Sequence, residues 1–134
     1  NKSELAMGFS TLYGDLCGGL SPLGDLLKSE VVSLARHYNR TKEIIPNEII
    51  ERAPSAELRP NQFDQDTLPP YDELDSYVVR FIVKGLPPRN PKEKKILKSM
   101  LASEFKRWQA PPILKVSDHA FGRGRRFPIA HSSF

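Results

Sequence analysis

The chain predicts a mainly α-helical protein, and that prediction rests on apolar spacing bounded by proline. Leu27, Val31, Leu34 and Tyr38 recur at helical spacing, as do Leu74, Val78, Val79 and Ile82, and again Ile96, Leu97, Met100, Leu101, Phe105 and Trp108. Prolines at 69–70, 87–88 and 111–112 stop or separate these runs. Alternating apolar runs are scarce, so about four or five helices and at most one or two short strands are expected.

Taken in order, Asn1 to Met7 is a short helix capped by Asn1 or Ser3, with Leu5, Ala6 and Met7 toward a core. A turn follows around Tyr13-Gly14-Asp15, and Gly14, Gly18 and Gly19 mark bending backbone. Leu20 to Leu23 is expected to be a short buried strand ending at Pro22. Asp25 to Tyr38 is the strongest helix, with Asp25 at its start and Arg36 and His37 near its end. Pro46 opens a short helix over Asn47 to Arg52. From Ala53 to Tyr71 the pattern stops, and a loop of that length is either functional or disordered. Tyr71 to Val83 is a helix closed by Lys84-Gly85. Pro91 opens the last helix, which Pro111-Pro112 ends, and the remainder to Phe134 is irregular and basic.

The net charge is +4 and the isoelectric point about 9.3. Acids and bases are interspersed except in the tail, where Arg123, Arg125 and Arg126 have no acidic neighbour. No apolar run is long enough to cross a membrane. The single cysteine, Cys17, excludes an internal disulfide and suits a reducing cytoplasm. It reads as a small packing residue rather than a nucleophile, because His37, His119 and His131 are all distant in sequence. Trp108, on an apolar stripe, reads as core rather than as a stacking platform.

The chemistry legible from residue types alone is sparse. No metal-ligand spacing, no Ser-His-Asp order and no Gly-rich loop followed by Lys-Ser/Thr occurs. Glu4, just before a Gly-rich turn, is either a surface acid or a Mg²⁺ ligand. Lys28, in the first turn of its helix, is either solvated or a partner for a phosphate at that N-terminus. Lys106, between Phe105 and Arg107, is equally open.

Four segments together resemble NAD⁺ synthetases of the glutamine-dependent branch. They are Asn1-Lys2-Ser3-Glu4 with Gly8-Phe9-Ser10-Thr11-Leu12-Tyr13-Gly14-Asp15; Ser21-Pro22-Leu23 leading to Lys28; Pro54-Ser55-Ala56-Glu57-Leu58-Arg59-Pro60 with Gln62, Asp64-Gln65-Asp66, Leu68, Pro70-Tyr71-Asp72 and Leu74-Asp75; and Glu104-Phe105-Lys106-Arg107 with Pro111. The tail Phe121-Gly122-Arg123-Gly124-Arg125-Arg126-Phe127-Pro128-Ile129 is similar to the end of long members. The likeness runs nearly end to end in one order. It implies that residues 1–134 are the C-terminal part of the synthetase domain, an α/β adenine-nucleotide α-hydrolase-like (ATP-pyrophosphatase, Rossmann-like) fold. The ATP-loop half and the glutaminase domain would be supplied by the rest of the protein.

The resemblance also implies chemistry. The family amidates deamido-NAD⁺ to NAD⁺: ATP adenylylates the nicotinate carboxylate, and ammonia, drawn from glutamine in long members, displaces AMP. Glu4 corresponds to an acid near Mg²⁺ and deamido-NAD⁺, Lys28 and Ser55 to ATP contacts, and Lys106 to a substrate-binding lysine. Phe9, Ser10, Thr11 and Leu12 would line the deamido-NAD⁺ site, with Tyr13 and Asp15 close by. Residues 53–71 would be a lid that keeps water from the adenylate. Leu12 stands where ammonia-only members often carry Lys, and Gly19 where they carry an acid, which favours the glutamine-using branch. The Ser-Gly-Gly-x-Asp-Ser loop that holds pyrophosphate in this family is not in the sequence, and Gly18-Gly19-Leu20-Ser21 is no substitute. The 134 residues alone are therefore expected to be inactive. A homo-oligomer is expected, with no membrane or nucleic-acid partner. The competing readings are a non-catalytic nucleotide-binding module and an RNA-binding helical module using the arginine tail.

Overall fold

The computed structural model describes residues 1–55, 60–122 and 125–130. Residues 56–59, 123–124 and 131–134 lie outside the described residues, among them Ala56-Glu57-Leu58-Arg59 of the third motif and Arg123-Gly124 of the tail. The described chain is helical: α1 (Lys2–Met7), α2 (Lys28–Tyr38), α3 (Asn47–Glu51), a 3₁₀ turn (Asp64–Asp66), α4 (Tyr71–Val78) running into a π-turn (Val79–Val83), α5 (Pro91–Ala102) and α6 (Glu104–Arg107).

Local chemistry sets most boundaries. Asn1, rather than Ser3, caps α1: its side chain accepts from the Ser3 and Glu4 amides, and Glu4 reaches back to the Asn1 nitrogen. Gly8 ends α1 at φ 62°, where a Cβ would lie 2.6 Å from the Ser103 side chain. Asn90 caps α5 through the Glu93 amide, with Pro91 at its first position.

The core lies where α1, α4 and α5 meet. Leu5 and Ala6 pack with Leu74, Val78, Phe81, Ile82, Ile96 and Met100, closed by Leu16, Leu68, Tyr71 and Phe121. The expected helix over 71–83 changes pitch after Val78: the Lys84 amide bonds Val79 O at 2.9 Å and Leu86 bonds Arg80 O at 3.0 Å. That wider turn keeps Phe81 and Ile82 inside.

Three charged hubs tie distant segments together. Lys2 and Asp25 form a buried ion pair at 2.8 Å, and Asp25 also accepts from the Val116 and Ser117 amides at 2.7 and 2.6 Å. Asp75, on α4, accepts from the Ser29 amide at 3.0 Å, from Ser29 Oγ at 2.6 Å and from Ser3 Oγ. Ser3 Oγ in turn accepts from the Lys28 amide at 3.0 Å. The N-terminus of α2 is thus capped by side chains from α1 and α4. Arg107, paired with Glu104 at 2.8 Å, donates to the Leu5 and Ala6 carbonyls at 2.9 Å each and to Met100 O. It thereby closes the C-terminal ends of α1 and α5.

Several expectations are corrected. The segment Leu20 to Leu23 is not a buried strand: only an isolated parallel bridge joins Ser21 to Ile113, and Leu20 and Leu23 are exposed. Its backbone pairs with one short stretch and gains no flanking strand among the described residues. Helix α2 starts at Lys28 rather than Asp25, because Asp25 is spent on Lys2 and residues 116–117. The stripe Leu27, Val31, Leu34 and Tyr38 holds no buried residue. The last helix breaks at Ser103, so Phe105 and Trp108 turn outward, and Trp108 is 51% exposed under the Arg126 guanidinium. Cys17 is exposed rather than packed, its thiol against Tyr13 O.

Candidate functional site

Two clefts meet at Glu4 on α1. The larger, of about 1070 Å³, lies between α1, α2, α3 and residues 51–55 and 64–72; Glu4, Lys28, Ser55, Asp64 and Tyr71 are on its wall. The smaller, of about 320 Å³, is walled by Glu4, Phe9, Ser10, Thr11, Asp15, Ser55 and Asp64, among others. Glu4, Ser55 and Asp64 belong to both, so they mark the junction.

Glu4 sits on α1 with its carboxylate half-buried, 3.2 Å from the Lys28 ammonium. Burial raises its pKa, and the Lys28 ammonium 3.2 Å away pulls it down. Lys28 projects from the first turn of α2, 5.3 Å from the centre of the Tyr71 ring. Tyr71 opens α4 behind Pro70, and its hydroxyl donates to Asp64 Oδ2 at 2.7 Å. Burial and the Asp64 carboxylate push this phenol far up, so it stays protonated. Asp64 Oδ1 has no hydrogen-bond partner among the described residues although Asp64 is 4% exposed. The Asp64 amide bonds Pro54 O at 3.0 Å, which fixes the neighbour of Ser55, and Ser55 Oγ donates to Gln62 O.

Beyond Gly8 the chain turns along the smaller cleft. Phe9 packs on the core, and the Thr11 amide donates to Asp15 at 2.7 Å, closing the turn. Ser10 Oγ is buried without a partner among the described residues. Ser103 Oγ lies 2.9 Å from Met7 O, and Lys106 Nζ donates to Gly8 O and Ser10 O at 2.7 Å each, bracing this turn from α6.

The sequence-predicted residues therefore divide. Glu4, Lys28 and Ser55 come together on the larger cleft, and Glu4, Phe9, Ser10, Thr11 and Asp15 on the smaller. Leu12 packs on the core, Tyr13 is 82% exposed at φ 57°, and neither lines these clefts. Lys106, expected to touch substrate, spends its ammonium on backbone carbonyls. Sequence reasoning gave no separate role to Asp64, Tyr71 or Asp75. The signal was present in Asp64-Gln65-Asp66 and Pro70-Tyr71-Asp72 of the third motif, but nothing local pairs the acid with the phenol.

Glu4 offers a single carboxylate, and no group of three ligating side chains occurs among the described residues. That donor set fits Mg²⁺, which takes most of its shell from water and phosphate oxygens, better than a cation needing a full protein cage. No helix among the described residues is long and apolar enough to cross a membrane.

A family profile described as "NAD synthase" matches residues 1–110. The chain is 48% identical to a glutamine-dependent NAD(+) synthetase of Synechocystis sp., over 98% of this chain and 25% of that protein. It is 45% identical to the protein of the same description from Xanthomonas campestris pv. campestris, over 98% and 26%. For that from Aquifex aeolicus the figures are 41%, 100% and 25%. The chain thus spans about a quarter of the length of the curated relatives it matches.

Proposed function

The chain belongs to the NAD synthase family, and from that premise we propose that it forms one wall of a site that makes NAD⁺ from deamido-NAD⁺, ATP and ammonia. What carries the reading is the junction: Glu4, Lys28 and Ser55 meet on one cleft, and Glu4 and Ser55 also border a second cleft lined by Phe9, Ser10, Thr11 and Asp15. ATP occupies the larger cleft and the nicotinate end of deamido-NAD⁺ the smaller, so the two reacting ends meet between them. The domain is the C-terminal part of an adenine-nucleotide α-hydrolase-like fold whose sheet lies in the rest of the protein.

In this reading the nicotinate carboxylate oxygen bonds to the ATP α-phosphorus, and the bond to pyrophosphate breaks. Ammonia, released from glutamine elsewhere in the protein, then adds to the carboxyl carbon. The amide forms as AMP leaves with the bonding pair, and the ammonia sheds a proton. Lys28 balances the charge gathering on the departing pyrophosphate, and the Ser55 hydroxyl turns from Gln62 O to donate to a phosphate oxygen. Glu4 would hold Mg²⁺, which supplies further charge neutralisation when bound. The turn from Phe9 to Asp15 receives the substrate, with Leu12 and Tyr13 behind it and Lys106 acting on it through the Gly8 and Ser10 carbonyls. The lid expected over residues 53–71, of which 56–59 lie outside the described residues, would keep water from the adenylate, which water hydrolyses. The protein works in the cytoplasm as a homo-oligomer.

The test is made in a full-length synthetase carrying this segment. Lys28→Met is expected to raise the KM for ATP and slow pyrophosphate release, and Glu4→Gln to weaken the dependence on Mg²⁺. Wild-type kinetics in both variants would refute the assignment.

A further inference from the structure

Lys28 stands over an aromatic ring whose far end is fastened to the segment carrying Ser55. Its ammonium is 5.3 Å from the Tyr71 centroid, within the range in which a cation is drawn to a ring face. The ring is 9% exposed, so water screens this attraction little. The Tyr71 hydroxyl donates to Asp64 at 2.7 Å, and the Asp64 amide bonds Pro54 O at 3.0 Å, next to Ser55. A phenol donating to a carboxylate carries more electron density on its ring, which strengthens the pull on a cation.

Resting on the reading above, we propose that Tyr71 is a positioning residue for ATP: its ring aims Lys28 at the phosphates while its hydroxyl, through Asp64, holds the segment carrying Ser55 against the same cleft. The phenol stays protonated throughout, because burial and Asp64 both oppose its ionisation. Tyr71 therefore moves no proton. Glu4 also holds Lys28, at 3.2 Å, so the ammonium has two supports, a carboxylate and a ring. Mg²⁺ on Glu4 would compete with the first support and leave the ring as the second.

A double-mutant cycle tests this in a full-length synthetase carrying this segment, with ATP binding followed by calorimetry and the two KM values measured separately. Tyr71→Leu is expected to weaken ATP binding by about 5-fold, the size of one partly desolvated cation–π contact. The KM for deamido-NAD⁺ is expected to change less than ATP binding does, because Lys28 lines only the larger cleft. In the Lys28→Met background the same change is expected to matter clearly less, because the group the ring aims is gone and only the hydroxyl's hold on the Ser55 segment is left to lose. Tyr71→Phe keeps the ring and the packing, and is expected to bind ATP better than Tyr71→Leu; this variant carries the test if the Leu variant does not fold. An equal loss in both backgrounds, or a Phe variant as weak as Leu, would overturn the positioning role. Unchanged ATP binding in Lys28→Met alone would instead overturn the assignment of Lys28 to ATP, and this inference with it.

Discussion

Asp75→Ala should loosen the start of α2 more than any single bond suggests. The carboxylate is 5% exposed and receives the Ser29 amide at 3.0 Å, Ser29 Oγ at 2.6 Å and Ser3 Oγ. Hydrogen bonds to a charged acceptor are worth about 1.5–3 kcal/mol each, and loss of a helix cap about 1 kcal/mol. These do not add in full, because removing the carboxylate also removes the cost of keeping a charge out of water. A net loss of about 3 kcal/mol follows. Ser29→Ala removes one hydroxyl and leaves the capped amide, and should cost about 1 kcal/mol. Thermal and urea unfolding of the three proteins decide the matter. If Asp75→Ala costs no more than Ser29→Ala, the carboxylate is not the cap we describe.

Other consequences concern the remaining hubs. Burial pushes the Asp25 carboxyl up, but Lys2 and the Val116 and Ser117 amides pull it net below its ordinary value of 3.8. Its folded pKa lies below its unfolded one, so its contribution is complete above the unfolded value and is lost as pH falls through the folded one; stability should drop below about pH 4, and Asp25→Asn should flatten that limb in an acid titration followed by circular dichroism. Gly8→Ala places a methyl 2.6 Å from Ser103 Cβ at φ 62°, and should cost about 2–3 kcal/mol in urea unfolding while raising the KM for deamido-NAD⁺ in the full-length enzyme. Arg107→Met leaves Glu104 buried without its cation and should cost about 3–5 kcal/mol, which a folded protein of unchanged melting temperature would contradict.

Much of the helical frame is visible in the sequence where the cause is local. Asn1 and Glu4 write a capping box three residues apart, Asn90-Pro91 announces α5, and the apolar spacing of Leu74, Val78 and Ile82 is realised in the core. What escapes is set by partners far along the chain. Lys2 and Asp25 look like ordinary surface charges, yet each is buried because the other, and Ser117, are there. Glu104-Phe105-Lys106-Arg107 looks amphipathic with Phe105 inside, but the charged residues Glu104 and Arg107 are the buried ones. Helix α2 misleads in the opposite sense: its apolar stripe is regular, while its anchoring runs through polar groups at its first turn. The same division applies to the candidate site. Glu4, Lys28 and Ser55 were named from family likeness, whereas Tyr71 and Asp64 emerge only when the hydroxyl and carboxylate are seen 2.7 Å apart.

The Arg107 clasp also bears on how the chain acquires its shape. The carbonyls it receives belong to residues 5 and 6, 102 and 101 positions earlier. During synthesis α1 emerges long before the guanidinium that closes its end; until then Leu5 O has the Gly8 amide and water, and Ala6 O has water. The closing loop costs entropy that grows with the logarithm of its length, and contacts of such separation form late and slowly. A ribosome that stalls before residue 107 would therefore leave α1 and the cleft wall it carries unsecured. The last short helix acts as the clasp that commits the first one, so proteolytic protection of the amino-terminal segment should appear only as the carboxy-terminal quarter is completed.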